Sequence, residues 1–308
     1  LAGAAVGWRT AGGDRIKPMI LKRVQRPGRL AALAGGLLLA AMAAAGARSA
    51  GDPAAPGGDL AAVRARGKLV MLCFPVQGSG FVAADLDVMR EQGLRLADLR
   101  RPEQFRGLDV EIVQGFARQL RVGLEIRPLT GGYPSLLPAL LTRQGDLVAS
   151  ELTITPGRLA AVDFSQPYVN NWLVVVARRG SALRSPADLD GRRGAVVGGS
   201  SHSEFLQAVA PHVVLESTSF DLESLEAVES GRADFTLRDS NDPPGSGLGT
   251  LHPDLVVAFR LRQIGDGIAL RHGSDLLAPL NRHLASLQAS GELARMLARH
   301  GVVSQPPG

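Results

Sequence analysis

Beyond residue 65 the chain alternates short, unbroken apolar runs with longer stretches in which apolar positions return every three or four residues. KLVMLCF (68–74) is apolar throughout and predicts a buried strand. In GLDVEIVQGFARQL (107–120), Leu108, Ile112, Phe116 and Leu120 fall at helical spacing, so this segment predicts a helix with one apolar face laid on a sheet. LEIRP (124–128) is the next expected strand, YPSLLPALLTRQG (133–145) the next helix and DLVAS (146–150) a further strand. A β-then-α order of this kind implies an α/β domain with a largely parallel sheet, whose ligands sit beyond the carboxyl ends of the strands. Ser150 and Thr155 lie at such an end.

The stretch that follows, SELTITPGRLAAVDFS (150–165), carries candidate chemistry. Thr155 suits a helix N-cap, Pro156 the first helical position, and Arg158 falls in the first turn. Unpaired backbone N–H groups and a guanidinium would then face one space, an arrangement suited to a carboxylate. Arginine serves better than lysine here because its planar fork makes two parallel hydrogen bonds. Pairing with Asp163, or solvation of a helix end, explains the same arginine equally well from spacing alone.

A second segment of this type is GRRGAVVGGSSHSEFLQ (191–207). AVV reads as a short strand, Gly198-Gly199 as a tight turn, and Ser201 with Glu204 as a capping box that starts a helix at His202. An ordinary strand-turn-helix connection would look the same. RADFTLRDS (232–240) ends a strand on Asp239, which is either a receiver for an ammonium group or a turn residue.

Charge changes the picture only at the amino-terminal end. The 308 residues carry a formal +5, but residues 1–47 set Arg9, Arg15, Lys17, Lys22, Arg23, Arg26 and Arg29 against Asp14 for +6, leaving −1 for the remainder. A nucleic-acid partner therefore loses its electrostatic support. Residues 22–29 (KRVQRPGR), the apolar run LAALAGGLLLAAMAAA and the small-residue site Ala45-Gly46-Ala47 read as an export signal cleaved after Ala47. Residues 1–18 precede Met19 and read as a mis-called start. A membrane anchor is the competing reading of the apolar run. Cys73 is the only cysteine, so no intramolecular disulfide forms, and a periplasmic or secreted mature protein is expected. Residues 48–65 form a Gly/Pro/Ala-rich linker.

No cofactor or metal is expected. The six histidines are scattered without an i,i+4 pair, and no G-x-S-x-G, P-loop or H-E-x-x-H occurs. Ser200, Ser201 and His202 are adjacent, but adjacency in sequence does not make a nucleophilic triad.

GLDVEIVQGFARQL, YPSLLPALLTRQGDLVASELTITPGRLAAVDFSQPY, SPADLDGRRGAVVGGSS and SGRADFTLRDS follow one another in an order that resembles the family 3 solute-binding proteins of amino-acid ABC transporters. The resemblance spans roughly residues 66–303, and TPGR followed six residues later by FS is its most specific part. SSHSEFLQ, the DS at 239–240 and HPDLVVAF (252–259) resemble the amino-terminal solute-binding domain of membrane-bound lytic transglycosylase F, whose catalytic domain would begin near Gly301. The family implies an α/β, two-lobed periplasmic-binding-protein fold of type II with two hinge crossover strands. Lobe one would comprise 66–173 plus 260–303, lobe two 174–259, and 304–308 a tail.

Carried over by position, Arg158 would clamp a ligand carboxylate, Thr153 would accept from its ammonium and Tyr133 would cover its side chain. Ser200, Ser201 and His202 lie on the turn that would hold the carboxylate from lobe two, and Asp239 would receive the ammonium. The implied function is capture of an amino acid or similar small zwitterion by a monomeric protein, for an ABC permease. A regulatory binding protein of the transglycosylase F type and a periplasmic dehydratase are the alternatives. Two departures stand out. Glu151 occupies a place where the family carries a small residue, and the segment 78–106 is longer than the usual link. It reads as a partly helical surface excursion, or as an insertion that tips Phe81 into the cleft mouth.

Overall fold

A computed structural model describes residues 58–240 and 252–306, so the export signal, its cleavage site and most of the linker lie outside the described residues. Two five-stranded sheets organise the rest. The first has the order β4-β1-β5-β12-β6, from β1 (Lys68–Cys73), β4 (Gly123–Pro128), β5 (Leu147–Val148), β6 (Asp163–Phe164) and β12 (Ala269–Leu270). β1 runs parallel to both β4 and β5, and β12 runs antiparallel to β5 and β6. The unbroken apolar run of β1 follows from its central place, because both of its faces are covered. Leu69, Met71 and Cys73 join one core with Leu108, Ile112, Phe116 and Leu120 of α3 (Leu108–Leu120). Leu72 joins the opposite core with Leu136 and Leu140 of α4 (Leu136–Leu141). The first core also takes Val63 of α1 (Gly58–Arg66), Leu280 and Leu284 of α8 (Leu277–Ala289), and Leu293 and Met296 of α9 (Glu292–His300).

The second sheet has the order β11-β7-β10-β8-β9, from β7 (Val169–Arg178), β8 (Arg193–Val197), β9 (Val214–Thr218), β10 (Phe235–Asp239) and β11 (Leu255–Asp266). β8 is parallel to β9 and β10. β7 is antiparallel to β10 and β11, so this sheet is mixed, as the first sheet also is through β12. The alternation of β7 explains its two cores. Leu173, Val175 and Ala177 meet Phe205 and Leu206 of α6 (Ser201–Val209), while Val174 and Val176 meet Leu225 and Val228 of α7 (Asp221–Glu229). The paired strands β7 and β11 carry the chain between the first sheet and the second, as the two-lobed fold requires.

The segment 78–106 holds β2 (Ala83–Ala84) paired with β3 (Phe105–Arg106), α2 (Leu86–Gln92) and two short 3-10 turns. It is not merely a surface excursion. Phe81, Val82, Ala84, Leu99 and Phe105 are buried in the core over α3. The carbonyls of Gly80 and Phe81 accept from Leu108 N and Asp109 N, capping that helix. Gly107 makes this approach feasible, since a Cβ there would stand 2.1 Å from the Phe81 carbonyl oxygen. The expected strand at 146–150 shrinks to β5, and the helix expected over 133–145 becomes a 3-10 turn followed by α4. No helix among the described residues is long and apolar enough to cross a membrane.

Candidate functional site

Eight of the nine predicted site residues line one cavity of ≈ 80 Å³: Tyr133, Glu151, Thr153, Arg158, Ser200, Ser201, His202 and Asp239. The first four come from loops of the first sheet and the last four from the ends of β8 and β10. Val197, Asp221 and Arg238 complete the lining.

Arg158 stands in α5 (Pro156–Leu159), a single turn whose N-cap Thr155 accepts from Arg158 N at 3.2 Å. Its Nη1 donates to the Thr153 carbonyl at 2.7 Å. Asp163 is not its partner, because that carboxylate is taken by His272 Nδ1 and Gly273 N, each at 2.8 Å. Burial holds the guanidinium's pKa below its usual range, against the opposing charges of Glu204, Asp266, Tyr133 and Asp239.

Glu151 sits in the left-handed region at φ 50°, a conformation that favours glycine. β5 ends at Val148, so strand alternation does not decide where Glu151 points; it lines the cavity. Its backbone N–H donates at 2.8 Å to Asp109, a fully buried carboxylate at the start of α3. Asp109 also accepts from the Tyr168 hydroxyl at 2.5 Å, and burial pushes its pKa up to about 6. Thr153 is buried beside Ser201, its Oγ1 3.5 Å from Ser201 Oγ, and bridges to Asp266 at the end of β11. Burial raises the Asp266 carboxyl well above the usual range, and Asn171 Nδ2 is 3.4 Å from it. Tyr133 meets Phe74 edge-on, with ring centroids 5.3 Å apart.

On the second wall the cap differs from expectation. Ser200, not Ser201, is the N-cap of α6, accepting from Ser203 N, and the helix begins at Ser201. Glu204 does not close a capping box; its carboxylate accepts from Thr155 Oγ1 at 2.7 Å and from Gly157 N at 2.9 Å instead. His202 Nε2 lies 3.1 Å from Asp239 Oδ1. Burial lowers the His202 pKa, but the charge and hydrogen bond of Asp239 outweigh it and the net shift is upward. Arg238, 6% exposed, places Nη1 3.1 Å from Asp221 Oδ1.

Phe81 is the prediction that fails. It is 3% exposed within the first core, because the chain at 80–81 caps α3 and turns the ring inward, away from the cavity. Spacing gave no hint of Asp109, Asp266, Asp221 or Arg238 as neighbours of the site, since each arrives from a distant element. A larger cavity of ≈ 330 Å³ opens at the other end of the second sheet among Arg178, Arg179, Arg192 and Asp234, and holds none of the predicted residues. Among the described residues no group of His, Cys, Asp or Glu is placed to hold a metal ion.

The family model for bacterial extracellular solute-binding proteins, family 3, matches residues 97–302. Membrane-bound lytic murein transglycosylase F of Photobacterium profundum is 34% identical over 236 residues, covering 69% of this chain but only 44% of that protein's length. The L-arginine-binding protein of Pseudomonas aeruginosa is 28% identical over 207 residues, covering 63% of this chain and 79% of that protein. Among solved structures, a mutant of ArgBP from T. maritima superposes with a TM-score of 0.62 at 27% identity, covering 78% of this chain and 98% of that one.

Proposed function

The chain belongs to the bacterial extracellular solute-binding proteins of family 3, and we propose that it captures an amino acid or similar small zwitterion between its lobes and delivers it to an ABC-type permease. The observation that carries this reading is the opposition of Arg158 and Asp239 across one cavity. The Arg158 guanidinium is sunk in the wall and donates to a carbonyl, with no carboxylate bonded to it among the described residues. A ligand carboxylate supplies the missing counter-charge. Ser201 and the first N–H groups of α6 meet the same carboxylate from the other side, Asp239 and Thr153 receive the ammonium, and Tyr133 covers the side chain.

Arg158 from the first sheet and Asp239 from the second line the same cavity, so a ligand held by both enters when the walls part about β7 and β11 and is enclosed when they close again. The lobe boundaries near residues 173 and 260 fall within those strands. Glu151 lines the cavity as an additional carboxylate and favours a ligand with a second cationic group, in keeping with the arginine-binding names of several relatives. The mature protein, exported and trimmed after Ala47, acts as a monomer outside the cytoplasm.

Native mass spectrometry of the exported protein, followed by a thermal-shift screen of amino acids, dipeptides and muropeptides, tests the reading. Ligand at 100 times its Kd should add roughly 2.7 kcal/mol of stability. Stabilisation by muropeptides alone would favour the second reading, a regulatory binding module, which the similarity to transglycosylase F supports. Loss of a cyclic carboxylate over time would reveal a dehydratase.

A further inference from the structure

Glu204 stands on α6, whose N-terminus faces the cavity from the second sheet, yet its side chain leaves that helix. An acid in the first helical turn ordinarily turns back to its own N-cap. Here both carboxylate oxygens cross to the loop carrying Arg158, one to Thr155 Oγ1 and the other to Gly157 N. The donor loop lies close against it. A Cβ on Gly157 would lie 2.9 Å from Glu204 Oε1, so alanine there would make the carboxylate shift and weaken its bond to the Gly157 N–H. Two further approaches follow the same line between the sheets. Ser201 Oγ meets Thr153 Oγ1 at 3.5 Å, and Gly199, at φ 71°, meets Pro134, which a Cβ would approach to 3.3 Å. Glu204 does not line the cavity. Its bonds are made outside the ligand chamber and exist only while the two walls are together.

From this geometry we infer that Glu204 is a latch that stabilises the closed form of the protein independently of any ligand. The inference rests on the hinge-closing reading of the cavity, and adds to it a residue that acts through the position of the Thr155–Arg158 turn without touching the ligand. Two charge-assisted hydrogen bonds are exchanged for water when the walls part, so the latch raises the closed-to-open ratio on the order of tenfold. The same factor enters the apparent affinity only while the ligand-free protein is mostly open, because a state already closed gains nothing further.

Spin labels on Ala61→Cys in α1 and Glu226→Cys in α7, both exposed and on helices packed against different sheets, report closure by electron–electron distance measurement, and the buried Cys73 stays unlabelled. The ligand-free protein should show a short-distance component whose ratio to the long-distance one falls on the order of tenfold in Glu204→Ala. Glu204→Gln should retain part of it. Gly157→Ala, which shifts the carboxylate without removing it, should lose part of it, and the double variant should lose no more than Glu204→Ala alone. An unliganded protein without the short component, a Glu204→Ala protein that keeps it, or losses that add in the double variant would each overturn the latch. If Glu204→Ala does not fold, Gly157→Ala and Glu204→Gln carry the test. No ligand enters the measurement, so failure of the amino-acid reading leaves its outcome standing on its own.

Discussion

The two walls of the cavity are built on opposite plans. On the first-sheet wall, backbone and buried groups fix each side chain: Thr155 caps the turn of Arg158, Asp109 holds the Glu151 N–H, and Thr153 is tied to β11. On the second-sheet wall the charged side chains hold each other, His202 with Asp239 and Arg238 with Asp221. The first wall thus presents a guanidinium without a bonded carboxylate among the described residues, while the second presents charges already matched in pairs. A preorganised wall binds what arrives, because its groups lose little entropy on binding. A self-paired wall must first release one partner. Affinity should therefore depend most on the first wall, and sensitivity to conditions on the second.

Removing Arg158 breaks that comparison most directly. Arg158→Ala should abolish capture of carboxylate ligands, a loss of about 2–5 kcal/mol of the kind seen when one half of a charged pair is deleted. Melting temperature without ligand should barely change, since the side chain faces the cavity and not a core. Normal titration by calorimetry would mean that the carboxylate is held from the second wall.

Asp109 anchors the first wall from behind, and its loss comes next in size. Replacement by alanine leaves the Tyr168 hydroxyl and the Glu151 N–H without their acceptor, at roughly 1–3 kcal/mol for each group left unpaired. The conservative Asp109→Asn separates charge from shape. Because burial raises the folded pKa to about 6 from 3.8, the folded state holds the proton more firmly than the unfolded chain does. That contribution is complete below 3.8 and is lost as pH rises through about 6. Denaturation of both proteins across this range should show the native one losing stability relative to Asp109→Asn; a constant difference would show that Asp109 does not titrate there.

These two residues differ sharply in how far the sequence announces them. Arg158 is legible because its cap, its proline and its turn lie within four residues, and β1 and α3 are legible because apolar spacing is local. Asp109 reads as an ordinary first-turn acid until Tyr168 and Glu151 are folded onto it. The capping box at Ser201 and Glu204 fails for a related reason: the local rule holds, but two donors on another element compete and win. Phe81 was misplaced because the apolar positions of 78–106 follow no period, and the helix they cap lies beyond the segment. Pairs made between distant elements leave no spacing to read.

The second wall is tested through pH. His202 has a folded pKa raised above 6.5, so its pairing with Asp239 stabilises the protein fully below 6.5 and fades as pH rises through the folded value. Asp221 adds to the upward shift and Arg238 opposes it. Once His202 is neutral, Asp239 is free to receive a ligand ammonium. Affinity for an amino acid should then increase with pH, by at most about tenfold per unit for one proton. His202→Gln should flatten that slope in calorimetric titrations, and an unchanged slope would place the proton elsewhere.

Glu151 gives the smallest effect and sharpens the comparison, because it is the one charge on the first wall whose backbone is strained. Glu151→Gly keeps the N–H that Asp109 accepts from and removes both the carboxylate and the left-handed penalty. Relief of that penalty is worth roughly 1–2 kcal/mol for a residue with a Cβ. Added freedom of the unfolded chain takes back about 0.4–1 kcal/mol. Relief matches or outweighs freedom, so the variant should be more stable by up to about 1.6 kcal/mol, read as a rise in denaturant midpoint. Selectivity should move the other way. Without the carboxylate, arginine should lose affinity relative to a neutral amino acid, since a charge placed to favour one ligand acts against those lacking its partner. A stabilised variant with an unchanged preference ratio would mean that Glu151 is kept at this strained position for a reason other than ligand choice. A destabilised one would mean that its side chain contributes packing that outweighs the strain.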